Sequence, residues 1–292
     1  MKILITGADG LLAREMCSQL SSAHSITGIV HRPVGAPLPG VEYLNIDLSK
    51  PLNQSSLPNS VDAIFHLAQS SRFRDFPDGA RDTFAVNVES TINLLEYARV
   101  SSVGKFFLAS TGGVYGVTNR RVTESSDLIP PTEIGFYFAS KLASEMLCTS
   151  YRSIFDVTVL RFFFMYGPGQ RADMFLPRLV HRIMNGENIS LNGQNGIQVN
   201  PIHVSDAAYL MGQLLGKPNS PLLNVSGPDI VSIRQIAQII GELVGVEPRF
   251  DLKPAGPDVL ALNSSIESYF ISRNMTSIAD GLQSLVRSII SN

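Results

Sequence analysis

Tyr137 and Lys141 are the residues of this sequence whose types and spacing best suit acid–base chemistry. They stand four positions apart at the start of a predicted helix, so the phenol and the ammonium point from the same face. An ammonium about 5 Å from a phenol, at an effective dielectric constant of about 20, favours the phenolate by roughly 3 kcal/mol, or about two pKa units. Such a tyrosine can move a proton to or from a carbinol while a nicotinamide exchanges a hydride with its carbon. Ser110 and Thr111 end the preceding predicted strand, where a hydroxyl could bond to the same substrate oxygen.

Glycines follow the first predicted strand, Lys2–Thr6, where the chain turns into a helix. Gly7 and Gly10 permit a tight turn and a close backbone approach, and the N-terminus of the following helix offers free N–H groups to a pyrophosphate. The position of this loop between a strand and a helix predicts dinucleotide binding. An ordinary strand–helix turn is the alternative interpretation.

The second predicted strand ends at His31 and Arg32. An NAD enzyme usually has an acidic residue near this point, which holds the ribose 2′-hydroxyl. A guanidinium suits a 2′-phosphate instead, and the missing carboxylate removes a repulsion against it. The sequence therefore favours NADP slightly over NAD, and the alternative is that Arg32 is a solvated loop residue before Pro33.

Short apolar runs alternate with helical patterns through the first half of the chain. Continuous apolar strands separated by helices indicate a parallel sheet covered on both faces, whose ligands bind at the carboxyl ends of the strands. The predicted strands are Lys2–Thr6, Ile26–Val30, Val41–Ile46, Val61–Leu67, Lys105–Ser110 and Val157–Phe164. The predicted helices are Leu11–Leu20, Asp82–Arg99, Tyr137–Tyr151, Phe175–Asn185, Val204–Leu215, Ser232–Val244 and Ser277–Ile290.

The predicted fold class is α/β, a Rossmann-type doubly wound parallel sheet with a smaller C-terminal substrate-binding lobe. The pattern changes after Phe164, and residues 185–199, which are rich in Gly and Asn, predict turns and short strands. We expect an NAD(P)-binding domain at 1–163, to which the chain returns at about 203–226, and the smaller lobe at 164–292.

Composition and charge exclude several classes of protein. The chain has 292 residues, of which 44% are hydrophobic and 16% charged, and its net charge is −2, so it can bury a large core and offers no basic face for nucleic acid or anionic lipid. Cys17 and Cys148 lie in helical patterns and are expected to be small core residues, and the five histidines lack metal-ligand spacing, so no metal is expected. No apolar run reaches the length of a membrane span and a strand begins at Lys2, so we expect a cytoplasmic protein without a signal peptide.

Short motifs run in order from residue 3 to about residue 230. They are Thr6–Ala13 (TGADGLLA), Asp47-Leu48, His66-Leu67-Ala68, Asn87-Val88, Asn93–Glu96, Ser110-Thr111, Val114–Gly116, Tyr137–Lys141 (YFASK), Arg161–Phe163, Tyr166–Gln170 and Pro201–Asp206. In this combination the chain resembles an extended short-chain dehydrogenase/reductase of the NAD-dependent epimerase/dehydratase family, the group that contains UDP-galactose 4-epimerase.

The resemblance implies residue roles and a homodimer formed through the helices at about 82–100 and 137–152. Tyr137 resembles the catalytic acid/base, Lys141 the residue that holds the nicotinamide ribose and lowers the pKa of the tyrosine, and Thr111 the catalytic hydroxyl. The residues expected to bind the cofactor are Gly7, Asp9, Gly10, Leu11, Leu12, His31, Arg32, Asp47, Leu48, Leu67, Ala68, Gln69, Asn87, Ala109, Ser110, Tyr137, Lys141 and Phe164. The residues expected to bind substrate are Ser70, Gly112, Gly113 and Arg171.

Departures from the family pattern narrow the function. Gly112 and Gly113 follow Thr111 where the 4,6-dehydratases of the family have Asp-Glu, so 4,6-dehydration of that kind is not expected. Phe164 and Val199 replace an asparagine and an arginine with which the family holds the nucleotide-sugar. Arg171, and with less support Arg178, could substitute as phosphate clamps, or the substrate carries no nucleoside diphosphate.

Three functions remain open from the sequence. An epimerase of a sugar or nucleotide-sugar, which oxidises a hydroxyl transiently and keeps its cofactor, is the first expectation. An NADPH-dependent keto-sugar or carbonyl reductase, or a dehydrogenase, shares the same motifs and is the alternative. A non-catalytic NAD(P)-binding sensor is the third, although such relatives commonly lose the tyrosine or the lysine.

Three further side chains have a structural interpretation beside a functional one. Arg72 and Arg74 follow the fourth predicted strand and are either solvated loop residues or substrate ligands. Asp206 begins a predicted helix and is expected to be a cap or an ion-pair partner rather than a catalyst.

Overall fold

The computed structural model describes residues 1–116, 121–218, 220–254 and 264–291. The chain forms two compact units, each built from separate stretches of sequence. The first unit comprises Met1–Gly116, Leu128–Arg161 and Ala208–Leu223, and the second comprises Val117–Asp127, Phe162–Ala207 and Asn224–Asn292. The domain boundaries expected from the sequence stay a prediction.

The main sheet has seven strands in the order β3-β2-β1-β4-β5-β6-β9, and the pairs from β3 to β5 are parallel. The chain leaves β1 towards β2 on one side and towards β4 on the other, so the strand order reverses at β1, where doubly wound sheets bind their ligands. The strands are β1 Lys2–Thr6, β2 Ser25–Val30, β3 Val41–Asn45, β4 Ala63–His66, β5 Lys105–Thr111, β6 Asp156–Phe162, β7 Asn188–Asn192, β8 Gln198–Val199, β9 Leu222–Val225, β10 Val231–Ser232 and β11 Arg249–Lys253.

Nine α-helices lie in the described residues. They are α1 Leu11–Leu20, α2 Ala80–Phe84, α3 Ser90–Val100, α4 Phe136–Ser150, α5 Phe175–Met184, α6 Val204–Leu215, α7 Ile233–Val244, α8 Ser264–Glu267 and α9 Ile278–Ile290. Short 3-10 turns are formed by Gln54–Ser56 and Gly112–Tyr115. Within the part of the chain that the structure describes, no helix combines the length and the apolar character needed to cross a membrane.

The predicted helix Asp82–Arg99 is interrupted in the structure. Ala85–Glu89 forms a π-helical turn between α2 and α3. The carbonyl of Asn87 in this turn accepts hydrogen bonds from the hydroxyls of Thr91 and Ser144, so side chains satisfy a backbone group in the irregular turn. Such π turns often occur at functional sites, and apolar periodicity alone does not reveal them.

Strand β6 ends two residues earlier than predicted. Phe164 has φ +44°, a left-handed conformation that a strand cannot contain. The glycine-rich stretch 185–199 forms β7 and β8 with turns, as predicted, whereas β9, β10 and β11 were not predicted. Each of these three strands is short or lacks a clear alternation of apolar and polar residues. They form because neighbouring strands pair with them, as β7 pairs with β11 and β8 pairs with β10.

Each unit has its own apolar core. In the first unit, side chains of β1, β4, β5, α3 and α4 pack together around Leu4, Ile64 and Phe106, which are fully buried. In the second unit, α5, α7 and α9 pack with β7 around Val180, Ile240 and Leu282. Long apolar side chains on both faces of the sheet explain why its strands have continuous hydrophobic runs.

Asp206, at the start of α6, is fully buried and ion-paired, as one of its two predicted roles requires. The guanidinium of Arg273 donates to its carboxylate, and the backbone N–H and the hydroxyl of Thr276 donate to it at 2.7 Å and 3.1 Å. Asp206 therefore ties the chain before α9 to the start of α6.

Replacing Asp206 with Asn should lower the stability of the second unit by about 2–4 kcal/mol, because the amide leaves a cation and two donors without their anionic acceptor. Urea unfolding measures the loss. Asp173→Asn is the matched control: Asp173 pairs with Arg171 in an exposed ion pair, so its loss should cost below about 1 kcal/mol. Equal losses in the two variants would contradict the buried role of Asp206.

Candidate active site

The structure places most of the sequence-predicted site residues in the first unit. Apart from Asn87 in the π-helical turn, they lie at the carboxyl ends of the parallel strands, in the loops that follow and at the start of α1 and α4, because such strand ends share one edge of the sheet. This set contains Gly7, Asp9, Gly10, Leu11, Leu12, His31, Arg32, Asp47, Leu48, Leu67, Ala68, Gln69, Ser70, Asn87, Ala109, Ser110, Thr111, Gly112, Gly113, Tyr137 and Lys141. The remaining two, Phe164 and Arg171, belong to the second unit.

The turn between β1 and α1 fits a dinucleotide pyrophosphate. Gly7 has φ +66°, and a Cβ atom there would lie 2.9 Å from the Cα of Ala68, so a side chain cannot be accommodated. Gly10 donates its N–H to the carbonyl of Gly7 at 2.8 Å and directly precedes α1. No side chain in the described structure caps this helix, so its first N–H groups are available to an anion.

Below this loop, a buried histidine fixes a set of hydroxyl groups. The hydroxyl oxygen of Thr6 accepts the backbone N–H groups of Leu67 and Ala68 at 3.1 Å and 3.0 Å, and it lies 2.7 Å from Nδ1 of His66. Both lone pairs of this oxygen are used, so the hydroxyl proton must go to Nδ1 of His66. The end of β4 is thereby held against the end of β1.

The other nitrogen of His66 has a determined role as well. Nε2 lies 3.1 Å from the hydroxyl of Ser90, which donates its own proton to the carbonyl of Val86 at 2.6 Å. The oxygen of Ser90 must therefore accept a hydrogen bond from Nε2 of His66. Nε2 carries the proton, so His66 is the neutral Nε2–H tautomer. Burial, together with the charge of Lys141, lowers the pKa of His66 to about 3, so the ring stays neutral at ordinary pH.

Tyr137 lies in the first turn of α4 between two aromatic rings. Its hydroxyl donates to Oε1 of Gln69 at 2.8 Å. The ring centroids of Phe73 and Phe138 lie 4.8 Å and 5.3 Å from that of Tyr137. A Cβ atom on Gly113 would lie 2.1 Å from the ring of Phe138, so the glycine is what leaves space for that ring. Sequence analysis missed both phenylalanines, because a lone aromatic residue carries no periodic signal.

The electrostatics of Tyr137 differ from the sequence-based expectation. Burial raises the pKa of its phenol well above the ordinary value, while the charge of Arg74 and a hydrogen bond with Thr111 oppose that rise. The expected lowering by Lys141 is therefore wrong for this structure: desolvation outweighs the nearby cations, and the acting cation is Arg74. The phenol is therefore protonated at neutral pH.

Lys141 is buried one helical turn after Tyr137. Its ammonium donates to the carbonyl of Ala109 at 3.1 Å. Burial lowers the pKa of Lys141 to about 8, and the carboxylate of Glu145 opposes this effect. The hydroxyl of Ser110, a predicted cofactor ligand, is buried and donates to that same carboxylate.

The side chains of Asn87 and Ser70 also form hydrogen bonds inside the first unit. The amide of Asn87 accepts the N–H of Ser70 at 3.2 Å and donates to the hydroxyl of Ser140 at 2.9 Å, which in turn donates to the carbonyl of Tyr137. The hydroxyl of Ser70 donates to Asp82 and accepts the N–H of Arg72. Both predicted ligands are buried and hold the backbone around Tyr137 in place.

The residues expected near the adenosine lie at the ends of β2 and β3. Asp47 accepts the N–H and the hydroxyl of Ser49 at 2.9 Å and 2.6 Å, and these bonds hold the pKa of its carboxyl below the ordinary value. Nε2 of His31 lies 3.9 Å from this carboxylate. Leu48 is buried, whereas His31 and Arg32 are exposed and accessible to a ligand.

In the second unit, Phe164 lines a small apolar pocket. Oε1 of Gln170, which also lines it, is buried without a hydrogen-bond partner among the described residues. Arg171 is exposed and pairs with Asp173 at 2.7 Å, so a phosphate would have to compete with that carboxylate. The lining residues are Phe164, Met165, Tyr166, Gln170, Phe175, Leu176, Val199, Pro201 and Ile236.

Cys17 and Cys148 are buried free thiols, as expected of small core residues. Burial raises the pKa of the Cys17 thiol to about 11 and that of Cys148 to about 12, so both stay protonated. Within the described ranges, His, Cys, Asp and Glu side chains form no group of three that could hold a metal ion.

The sequence of this chain matches a known protein family. The model of the NAD dependent epimerase/dehydratase family matches residues 3–226. This chain belongs to that family. The family members are enzymes of the extended short-chain dehydrogenase/reductase type, so the predicted family, fold class and enzyme class are confirmed, as is dependence on NAD at the level of the family. Relatives named as epimerases support the predicted epimerase chemistry.

Proteins similar to this chain align with most of its length. The "Uncharacterized UDP-glucose epimerase YtcB" of Bacillus subtilis is 29% identical over 260 residues, which cover 82% of this chain and 81% of that protein. The structure of MoeE5 in complex with UDP-glucuronic acid and NAD is 26% identical, with a TM-score of 0.84 over 100% of this chain and 99% of that one. UDP-glucuronic acid 4-epimerase from Bacillus cereus, in complex with UDP-glucuronic acid and NAD, shares the fold at 23% identity, with a TM-score of 0.87 over the same shares.

The tautomer of His66 can be measured directly. In protein labelled with 15N-histidine, we expect His66, assigned with His66→Gln, to show a protonated Nε2 and a bare Nδ1, and not to titrate between pH 5 and pH 8, because its pKa is lowered to about 3. An Nδ1–H tautomer, or titration of His66 between pH 5 and pH 8, would contradict the hydrogen-bond assignment.

Proposed function

We propose that this chain is an NAD(P)-dependent epimerase of a UDP-sugar that acts by transient oxidation of a sugar hydroxyl, with Tyr137 as the acid/base. The observation that carries the proposal is the assembly of Tyr137, Thr111 and Lys141 at the end of β5, beside an uncapped glycine loop suited to a pyrophosphate. The relatives named as UDP-sugar epimerases support the choice of substrate class.

In this mechanism the protein's own residues bind the substrate and move one proton. A bound dinucleotide, held by the glycine loop before α1 and by Lys141, would supply the hydride acceptor for the sugar carbon and, after oxidation, the hydride donor to its opposite face. The Oη of Tyr137 takes the proton of the sugar hydroxyl as the keto group forms and gives it back as the keto group is reduced. The hydroxyl of Thr111 bonds to the same substrate oxygen, and Lys141 holds the nicotinamide ribose.

The raised pKa of Tyr137 fits the reductive half of this cycle, in which the phenol is the proton donor. In the oxidative half the phenolate must form, and cations stabilise it. Arg74 already acts on the phenol in this structure, and the buried ammonium of Lys141 is one helical turn away. Gln69 orients the hydroxyl through the 2.8 Å bond to its amide oxygen.

The first experiment separates an epimerase from a reductase. The protein is purified without added cofactor and denatured, and the released nucleotide is identified by chromatography. Stoichiometric NAD⁺ or NADP⁺ supports an internal redox cycle, and UDP-glucose and UDP-glucuronic acid are then tested for epimerisation by NMR. A protein that is empty but binds NADPH reversibly supports the reductase instead, and one that binds neither dinucleotide contradicts both enzymes and the sensor.

Tyr137→Phe should lower kcat for epimerisation by about 10²–10⁴-fold while the protein retains its dinucleotide, because the substitution removes the proton-transfer group and leaves the ring packing. Turnover and cofactor content are measured on the same sample. The matched control is Tyr151→Phe, which removes a hydroxyl bonded to Glu96 at the other end of α4, and should stay within about twofold of the wild type. Equal turnover of Tyr137→Phe and the wild type would contradict the acid/base role of Tyr137.

NADP as the preferred dinucleotide is a further part of the proposal, supported by the exposed Arg32 at the end of β2. Arg32→Ala should weaken NADPH binding about tenfold, since it removes a charge-assisted contact to the 2′-phosphate. NADH, which lacks that phosphate, is the internal control, and calorimetry gives both affinities. Unchanged NADPH affinity, or wild-type protein that binds NADH at least as tightly, would leave NAD as the cofactor.

A homodimer and a cytoplasmic location stay predictions within this proposal. The outer surfaces of α3 and α4 support a dimer, because Val100 at the end of α3 and Met146 on α4 are large apolar side chains that are more than half exposed.

A further inference from the structure

The inward face of α4 carries three functional groups at successive helical turns. Tyr137, Lys141 and Glu145 are each four residues apart, so they form one stripe along the helix. This stripe meets the end of β5 at consecutive residues: the Lys141 ammonium bonds to the carbonyl of Ala109, and the Glu145 carboxylate accepts the hydroxyl of Ser110. The next residue of β5 is Thr111, whose side chain opposes the rise in the pKa of Tyr137.

Glu145 has a second, stronger partner. The guanidinium of Arg161 on β6 donates to both oxygens of its carboxylate, at 3.1 Å, 3.2 Å and 2.6 Å. Both side chains are almost fully buried, at 7% and 6% exposure, and the guanidinium also lies 4.7 Å above the ring of Tyr115. Hydrogen bonds therefore satisfy the carboxylate from two strands, which is the condition under which a buried ion pair is tolerated.

We propose that Glu145 is a positioning residue that keeps Lys141 an ammonium in the interior and holds α4 in register with the catalytic end of β5. Arg161 is the counter-charge that pairs with the Glu145 carboxylate in the interior. The effect on Lys141 stands independently of the substrate, and only its consequence for turnover rests on the proposed function.

The charged and titratable groups around Lys141 support this assignment. Tyr137 on its own helix is a neutral phenol, and His66 on β4 is a neutral imidazole. Arg161 on β6 is a cation, and it is paired with Glu145. Glu145 is thus the anion that opposes the desolvation of Lys141 among the described residues, and without it both burial and Arg161 disfavour the ammonium.

The direct test is the titration of Lys141 by NMR in protein labelled with 13C-lysine. The chain has only six lysines, at positions 2, 50, 105, 141, 217 and 253, and Lys141→Arg assigns the signal of interest. In the wild type, we expect Lys141 to titrate at about 8, far below the ordinary range for lysine. Glu145→Gln keeps the size of the side chain and its acceptor for Ser110 but removes the charge, so it should lower the titration point by at least about one pH unit.

Three further variants separate charge from structure. Glu145→Asp retains the carboxylate and should restore most of the shift. Glu145→Gln combined with Arg161→Gln leaves no unpaired guanidinium in the interior, so it should fold more readily than the single variant and still lower the titration point. Glu96→Gln is the matched control on α3: it removes a carboxylate that pairs with Arg99, away from Lys141, and should change nothing.

A purely structural role would lower thermal stability in Glu145→Gln but leave the titration of Lys141 where it is, and that result overturns the proposal. Activity gives a second readout. A reaction that needs the ammonium declines as pH rises through the pKa of Lys141, so the decline should move to lower pH in Glu145→Gln and return in Glu145→Asp. If the wild type epimerises no sugar, the proposed function fails, while the titration still decides the role of Glu145.

Discussion

A buried ammonium is unstable in a protein interior unless an acceptor and an anion accompany it, and this constraint organises the first unit. Lys141 requires the carbonyl of Ala109, which fixes the distance between α4 and β5. It also requires Glu145, and Glu145 in turn requires Arg161 from β6. The buried ammonium of Lys141 thereby determines which groups β5, β6 and α4 must supply around it.

Hydroxyl groups complete this layer without adding charge. Thr6, Ser90, Ser140 and Ser144 each bond to a backbone carbonyl, a backbone N–H or a neutral ring, so the polar groups behind the glycine loop are matched locally. A buried network in which every donor and acceptor is assigned is rigid, because any rotation leaves a group unsatisfied. The neutral His66 suits this setting, since a protonated ring would face the charge of Lys141.

Much of the first unit could be predicted from its sequence, because chemistry and periodicity agree there. The apolar strands, the glycine loop and the Tyr137–Lys141 pair each leave a local signal. Partners from distant segments leave none: Arg161 reaches Glu145, and Phe73 reaches Tyr137, only once the sheet has formed. Glu145 is the exception that could have been found, since it continues the four-residue spacing of Tyr137 and Lys141. The direction of the Tyr137 pKa shift was inaccessible, because burial is a property of the folded state.

The left-handed backbone at Phe164 has a consequence for how such a site changes over time. A bulky side chain in this conformation costs roughly 1–2 kcal/mol relative to a glycine, and asparagine tolerates it better than phenylalanine does. The chain path is therefore set by the bend after β6 and not by the preference of the residue that occupies it. Asparagine and phenylalanine can therefore replace each other at this position without a change in the path of the main chain. Such a replacement converts a polar surface into an apolar one, so the substitution of one residue here can change the substrate preference.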